Sequence, residues 1–281
     1  MTAPDSPKSI EREIVDHYSS YDEAERLTKD IGPLELARTR ELITRYLPAP
    51  SAVVVDVGGA SGMYSFWLAE LGYAVHLVDL VPRHIEQAGR KAEEPNSPRL
   101  ASMRVGDARK LPLTDAFADA VIMHGPLYHL PDRTDRLRAI AEARRVLRPG
   151  GVLLAFAITR YAGLIFGLVR GYVFDAVYQQ MIRTEVKTGH RENPPAWLHT
   201  FPNAFFHHPD ELKAELQEAG LVHEATLGIL GPAWQVPDLD ASWNDDARRK
   251  VILEIARMTE CEPVLGPRLM GVARRVLSAE S

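Results

Sequence analysis

Cysteine is almost missing: Cys261 is the only one in 281 residues. A lone thiol forms no intramolecular disulfide, so the core must hold the fold, and a reducing cytoplasm is the expected compartment. With histidines scattered through the chain, one thiol also offers no metal-ligand spacing, and no metal is expected. Basic residues are not in excess. Lys and Arg number 33 against 38 Asp and Glu, a formal net charge of −5. Phosphate backbones select a cationic surface, so nucleic acid is not an expected partner. Long apolar runs are lacking too. The most apolar stretch, 161–174, carries Arg170 and is shorter than the roughly 20 residues of a membrane helix. Residues 1–8 are polar and hold two prolines, unlike a signal peptide. What remains is ordinary for a soluble globular protein with a real core: 46% hydrophobic and 25% charged residues.

Hydrophobic periodicity orders the chain. Residues 10–47 follow helical spacing through Leu34, Ala37, Leu42, Ile43 and Tyr46, and Pro48 and Pro50 end the run. Residues 52–57, Ala-Val-Val-Val-Asp-Val, have no helical period and read as a buried parallel strand. Helices are expected over 64–71, 82–93, 134–146, 209–219 and 247–258. Strands are expected over 74–79, 102–105, 120–124, 152–158, 222–230 and 271–277. Pro149-Gly150-Gly151 is read as the turn before the fifth strand. This alternation predicts an α/β fold, a doubly wound, mostly parallel sheet of seven strands ending in an antiparallel pair. The rhythm breaks at 160–208, read as a cap inserted between a first part, 1–159, and the end of the core, 209–281, within one domain. In the cap, Gly163, Gly167 and Gly171 recur every four residues, one face of a helix that permits close helix approach.

The chemistry concentrates after the first strand, in Asp56-Val57-Gly58-Gly59-Ala60-Ser61-Gly62. In open parallel sheets ligands sit beyond the strands' carboxyl ends, and glycine lets backbone approach them. A dinucleotide fingerprint started at Gly58 would need glycines where Ala60 and Met63 stand, and a phosphate loop would need Lys after Gly62. Neither phosphate cradle is present. The spacing Asp56-x-Gly58-x-Ala60-x-Gly62 resembles the glycine turn of class I S-adenosylmethionine-dependent methyltransferases, with Ala60 at the middle glycine. Three further stretches are similar to that family in order: Asp79 closing the second strand, Gly106-Asp107-Ala108 after the third, and His124-Gly125-Pro126-Leu127-Tyr128-His129-Leu130 after the fourth. Leu147-Arg148-Pro149-Gly150-Gly151 resembles the turn before the family's fifth strand. The last loop resembles the small-molecule, type-11-like branch.

The resemblance implies a Rossmann-like fold and S-adenosylmethionine as cofactor. It places the cofactor against Tyr21, Asp56, Gly58, Gly59, Ala60, Gly62, Asp79, Leu80, Asp107, Ala108, His124 and Tyr128. Asp79 would accept hydrogen bonds from the ribose hydroxyls, and Asp107 would approach the adenine amine. Methyl transfer from a sulfonium chiefly needs alignment, with a base only where the acceptor loses a proton. His129 is the first candidate base and His124 the second, each weighed against a structural histidine. Aromatic faces favour a sulfonium, and Tyr18, Tyr21, Tyr64 and Tyr128 are candidates. In the cap, Glu185, His190, Trp197 and His199 are the expected acceptor contacts, against the plainer reading of a decorative insertion or a contact between two copies of the chain. His207-His208, before a proline and a helix, reads as structural. The expected activity is N-, O- or C-methylation of a small acceptor, of the kind met in natural-product or secondary metabolism. The alternatives are a non-catalytic binder of the same cofactor and a nucleotide-dependent oxidoreductase.

Overall fold

The computed structural model describes residues 12, 14–15, 18, 26–198, 200–201 and 203–277. Strands β1 (Val53–Val57), β2 (Ala74–Asp79), β3 (Ser102–Val105), β4 (Ala118–His124), β5 (Leu147–Ile158), β8 (Leu221–Gly228) and β9 (Arg268–Arg275) form one seven-stranded sheet in the order β3-β2-β1-β4-β5-β9-β8. A two-stranded ribbon, β6 (His190–Arg191) with β7 (Ala204–Phe205), stands apart from it. Strands β1 to β5 pair in parallel, and β9 runs antiparallel to both β5 and β8. The sheet is therefore the doubly wound, mostly parallel arrangement expected, with its winding reversed between β1 and β4.

Side chains alternate across each strand, and both faces are covered. Val54, Ala120, Ile122, Val152 and Leu154 face one core with Leu34, Leu42 and Ile43 of α1 (Gly32–Tyr46), Phe66 and Leu68 of α2 (Met63–Glu70), and Ala88 of α3 (Pro82–Ala92). Val55, Val121, Met123, Leu153 and Ala155 face the other. There they meet Ala139, Ile140 and Ala143 of α5 (Arg133–Val146) and Leu212 and Leu216 of α8 (Pro209–Glu218). The short α4 (Pro126–His129) lies between β4 and α5. Where every inward position of a strand is apolar on both faces, a run such as Val53–Val57 has no reason to show a two-residue period. That is why it reads as continuous.

The expected turn at Pro149-Gly150-Gly151 lies inside β5. Ala118 pairs with Leu147 and Ala120 with Val152, so Arg148–Gly151 loop out opposite Asp119. Gly150 takes φ +81°, and a Cβ on Gly151 would come within 3.0 Å of two carbonyl oxygens. The extra residues make a bulge rather than end the pairing.

Residues 160–208 form α6 (Ala162–Arg170), a single 3₁₀ turn, α7 (Ala176–Thr188) and the ribbon. The glycine spacing acts where it is read as contact: a Cβ on Gly167 would sit 2.5 Å from the Tyr178 ring, and Tyr178 Oη donates to the Gly163 carbonyl at 2.7 Å. Gly171 instead closes α6 in the left-handed conformation, φ +74°. Beneath the ribbon lies a buried charge cluster. Arg136 of α5 donates from Nε and Nη2 to Glu215 of α8 at 3.1 and 2.8 Å, and from Nη1 to the Leu130 and Pro131 carbonyls. The Glu215 carboxylate also meets His207 Nε2 at 3.2 Å, and the Arg136 guanidinium lies 3.5 Å from the centre of the Phe205 ring. Burial would raise the Glu215 pKa, but His207 and Arg136 outweigh it and hold it at about 2. His208 caps α8, as a structural reading of the His207-His208 pair expects.

Among the described residues no helix is long and apolar enough to cross a membrane, and no group of three or more His, Cys, Asp or Glu is placed to hold a metal ion.

Removing one partner of a buried ion pair leaves the other uncompensated, at a cost of about 3–5 kcal/mol. Glu215→Ala is expected to lower the unfolding free energy by about that amount in urea titrations. A loss below about 1 kcal/mol would mean that the two carbonyls alone satisfy Arg136.

Candidate functional site

The carboxyl ends of β1 and β2 open onto the glycine turn. Gly58 donates its N–H to the Val78 carbonyl at 2.8 Å, at φ +74°. A Cβ there would meet the Pro126 ring at 2.7 Å, so only glycine lets this turn pass under the loop that follows β4. Ala60, at the family's middle glycine, holds φ +49°, a left-handed conformation that costs an alanine about 1–2 kcal/mol. Its N–H donates to Asp79 Oδ2 at 2.8 Å. Asp79 Oδ1 accepts from the Val81 N–H at 2.9 Å and faces His84 Nδ1 at 3.0 Å. Asp79 is thus buried and tied to three protein groups, more than a strand-end acid with little packing is expected to be. Oδ2, with one protein bond, keeps acceptor capacity toward the cleft.

Asp56 lies beneath the turn and is fully buried. Ser65 Oγ donates to its Oδ2 at 2.6 Å, while Oδ1 is buried without a partner. Burial lifts its pKa to about 6 against the Ser65 bond, and the Asp79 charge adds to the rise.

The far rim is charged but internally paired. Asp107 accepts from the Arg109 backbone N–H at 2.8 Å and from Arg109 Nη2 at 2.6 Å, and Arg109 Nη1 reaches Asp135 at 2.7 Å. At the β4 end the wall is aromatic. The His124 ring is stacked between Phe156, 4.3 Å away, and Tyr64, 5.2 Å away. Its Nδ1 is buried without a partner. Burial pushes its pKa down to about 3; Glu35 pulls upward, and Arg268 and Arg26 push further down. His129 is buried, with Nε2 2.9 Å from Tyr18 Oη and its ring edge-on to Tyr18 and Phe201. Behind this wall, fully buried Glu35 accepts from both Arg26 nitrogens, at 2.9 and 3.0 Å, with Arg268 Nε 3.7 Å away. Burial opposes its ionisation, yet Arg26 and Arg268 hold its pKa at about 2.

The glycine turn, the strand-end acids and the loop after β4 line one cleft that opens to solvent. Of the residues expected at the cofactor, Gly58, Gly59, Ala60, Asp79, Leu80, Asp107, Ala108, His124 and Tyr128 line it, as does His129. Asp56 and Gly62 support the turn from outside the cleft, and Tyr21 lies outside the described residues. The cap residues fall elsewhere. Buried Glu185 is paired with Arg191 Nε at 2.5 Å, Trp197 packs on Tyr172 and Tyr178, and His190 borders a second, separate hollow beside Arg136 and Glu215. His199 lies outside the described residues. Phe201 is the cap residue that touches the cleft wall. Arg26, Leu27, Met63, Val81, His84 and Arg109 line the cleft without having been expected there. Only His84, five residues past Asp79 at a helix start, carried a local signal.

The cleft fits S-adenosylmethionine on its own features. The Gly58, Gly59 and Ala60 backbone itself lines the cleft, where little side chain stands between it and a ligand. Among the described residues no lysine lines the cleft, and Arg26 and Arg109 are engaged by carboxylates, so nothing is set to grip a pyrophosphate. Asp79 is available to hydroxyl donors.

A histidine whose folded pKa lies near 3 favours the neutral form in the native state. The stability this gives is complete above the unfolded value near 6.5 and declines as pH falls toward 3. The His124 imidazole resonances are therefore expected to stay at their neutral positions from pH 8 down to about pH 5 in histidine-detected NMR. A midpoint near 6.5 would show the ring to be solvated.

A profile of the family described as "Methyltransferase domain" matches residues 55–155. A ubiquinone biosynthesis O-methyltransferase from Xanthomonas axonopodis pv. citri (strain 306) is 31% identical over 208 residues, covering 74% of this chain and 77% of the relative. A ubiquinone/menaquinone biosynthesis C-methyltransferase, UbiE, from Caulobacter sp. (strain K31) is 31% identical over 124 residues, 41% of this chain and 48% of that protein. The chain thus spans about half the length of such relatives. An S-adenosylmethionine-dependent methyltransferase of known structure from Mesorhizobium loti shares the fold, with a TM-score of 0.55 at 18% identity over 88% of this chain and 99% of that one. Together with the glycine turn and the acids at the strand ends, these matches show that the chain belongs to the class I S-adenosylmethionine-dependent methyltransferases of the type-11-like kind, with S-adenosylmethionine as its cofactor.

Proposed function

We propose that this enzyme methylates a nucleophilic nitrogen, oxygen or carbon of a small molecule, and that the acceptor enters at the aromatic β4 end of the cleft. The observation that carries this reading is the lining of the cleft. Asp79 and Asp107, suited to a nucleoside, share the cleft with Tyr18, Tyr128 and His129, and Tyr18 packs on both His129 and the His84 that meets Asp79. The names of the O- and C-methyltransferase relatives support a small acceptor. The segment 160–208 borders the acceptor side through Phe201.

When bound, the cofactor supplies an activated methyl group on a positively charged sulfur. The protein's part is then positional. Asp79 Oδ2 would hold the ribose, and the Gly58–Ala60 backbone would receive the amino-acid end. The Tyr18, Tyr64 and Tyr128 rings offer π-faces to the positive charge. His129 is the group in position to take a proton from the acceptor. His124, neutral and with a conjugate acid of pKa about 3, is too weak a base to compete and acts as wall.

Three measurements test this. Calorimetry is expected to find S-adenosylmethionine binding and no binding of nicotinamide dinucleotides; the reverse preference would overturn the reading. Asp79→Asn keeps the shape but loses the charge-assisted bonds, worth about 1.5–3 kcal/mol each. It is expected to weaken S-adenosylhomocysteine about 10- to 150-fold in a folded protein. An unchanged dissociation constant would remove Asp79 from the cofactor site. In an acceptor screen using isotopically labelled cofactor, with mass location of the methyl, His129→Ala is expected to reduce turnover about 10²- to 10⁴-fold at nearly constant cofactor affinity. Full activity of this variant on an acceptor that loses a proton would remove His129 as base.

A further inference from the structure

We propose that the tip of the cap, where α6 turns into α7, docks on a bilayer surface that carries anionic lipid. The inference goes beyond the reading of the cleft and does not rest on it. A connection between two surface helices is ordinarily polar. This one is not. Leu168 and Val169 lie in the last turn of α6, Phe174 closes the 3₁₀ turn and Val177 lies in the first turn of α7. All four are exposed, Leu168 at 62% and Phe174 at 87%. Beside them Tyr172 meets the exposed Trp197 ring edge-on at 5.0 Å. Large apolar side chains that share one exposed turn mark a contact surface. Trp and Tyr suit a boundary with water on one side and hydrocarbon on the other.

Charge decides what that contact is with. No acid stands in α6, and the one acid of α7, Glu185, is buried and paired with Arg191. Asp175, in the turn itself, caps α7 by accepting from the Tyr178 N–H at 2.8 Å. Along α7 the exposed side carries Val177, Gln180, Arg183 and Lys187, and the buried side Tyr178, Met181, Ile182 and Glu185. Arg170, at the end of α6, has only an exposed 3.4 Å contact with Asp30, a pair that contributes little in water. The face is therefore apolar at its tip and cationic behind it, on a chain whose net charge is −5. Lipid headgroups match both features, since apolar side chains reach the acyl boundary while Lys and Arg meet phosphate. A second copy of the chain matches them less well. A two-fold contact sets the same patch against itself, cation against cation.

Sedimentation with vesicles tests this. Phosphatidylcholine vesicles, with and without phosphatidylglycerol, are titrated against the whole chain. Binding to the anionic vesicles is expected to be about tenfold or more tighter than to the neutral ones, and to weaken as salt rises. A chain of net charge −5 has no general attraction to such vesicles, so the preference reports a local patch. Leu168→Ser with Phe174→Ser is expected to release the protein from both kinds of vesicle. Arg183→Glu with Lys187→Glu is expected to remove the preference alone. None of the four residues lines the cleft, so calorimetry with S-adenosylhomocysteine is expected to give unchanged affinity in both double variants, which checks their folding. The charge pair alters exposed positions only and decides the matter if the serine pair does not fold. Wild-type protein that ignores both vesicles or binds them alike overturns the proposal, as does a preference that survives the charge pair. A dimer in light scattering that the serine pair abolishes would assign the face to a second copy, and it also overturns the proposal.

Discussion

The cleft depends on one carboxylate. Asp79 stands where β2 ends, and its two oxygens hold the glycine turn through the Ala60 N–H, the start of the next loop through the Val81 N–H, and α3 through His84. The Ala60 bond matters most. An alanine in the left-handed region is strained, and strain persists only where surrounding contacts over-determine it. Here the contact comes from the group the cofactor's ribose is expected to meet. Burying that acid also has a consequence below it. Asp56, one strand away and wholly enclosed, feels Asp79 as a like charge, and burial together with that charge carries its pKa to about 6.

The opposite wall is arranged by the opposite sign. Arg26, Arg268 and Glu35 put two guanidiniums around one buried carboxylate beside His124. In that setting a protonated His124 would add a third positive charge in a place with little water, so the ring stays neutral and packs as an aromatic plate between Tyr64 and Phe156. The cleft thus carries acids and arginines paired with one another, with aromatic rings between them.

Much of this was legible along the chain, for identifiable reasons. Val53–Val57 and Ala74–Asp79 are runs whose composition reflects burial on both faces, and an acid closing such a run has to sit at the ligand edge. Gly163 and Gly167 were readable because four-residue spacing is a helical fact. Contacts between distant segments were not. Nothing near Glu35 announces Arg268, and nothing near Arg136 announces Glu215, because folding alone brings them together. Polar residues in the cap pointed the wrong way for a related reason. Glu185 reads as an anchor for a ligand, yet its Oε1 accepts from Arg191, six residues on across a helix end. A charge in a sequence carries no mark of whether its partner is protein or ligand. Asp56 misled more subtly: its position at the turn was right, but β1 turns its side chain under the backbone rather than into the cleft.

Arg136 links the site to the rest of the molecule. Its Nη1 donates to the Leu130 and Pro131 carbonyls, the end of the loop that carries Tyr128 and His129. The same guanidinium pairs with Glu215 of α8 and covers Phe205 of the ribbon. Three segments that meet only through folding are therefore fixed by one buried cation, and a buried cation tolerates little displacement because each lost bond leaves donors unsatisfied. His129 inherits this rigidity, since its loop cannot shift without uncovering Arg136. Tyr18 and Phe201 also meet His129 edge-on, and Tyr18 Oη lies 2.9 Å from its Nε2. His129 is thereby held in place, which suits the proton-acceptor role proposed for it in a transfer limited by alignment.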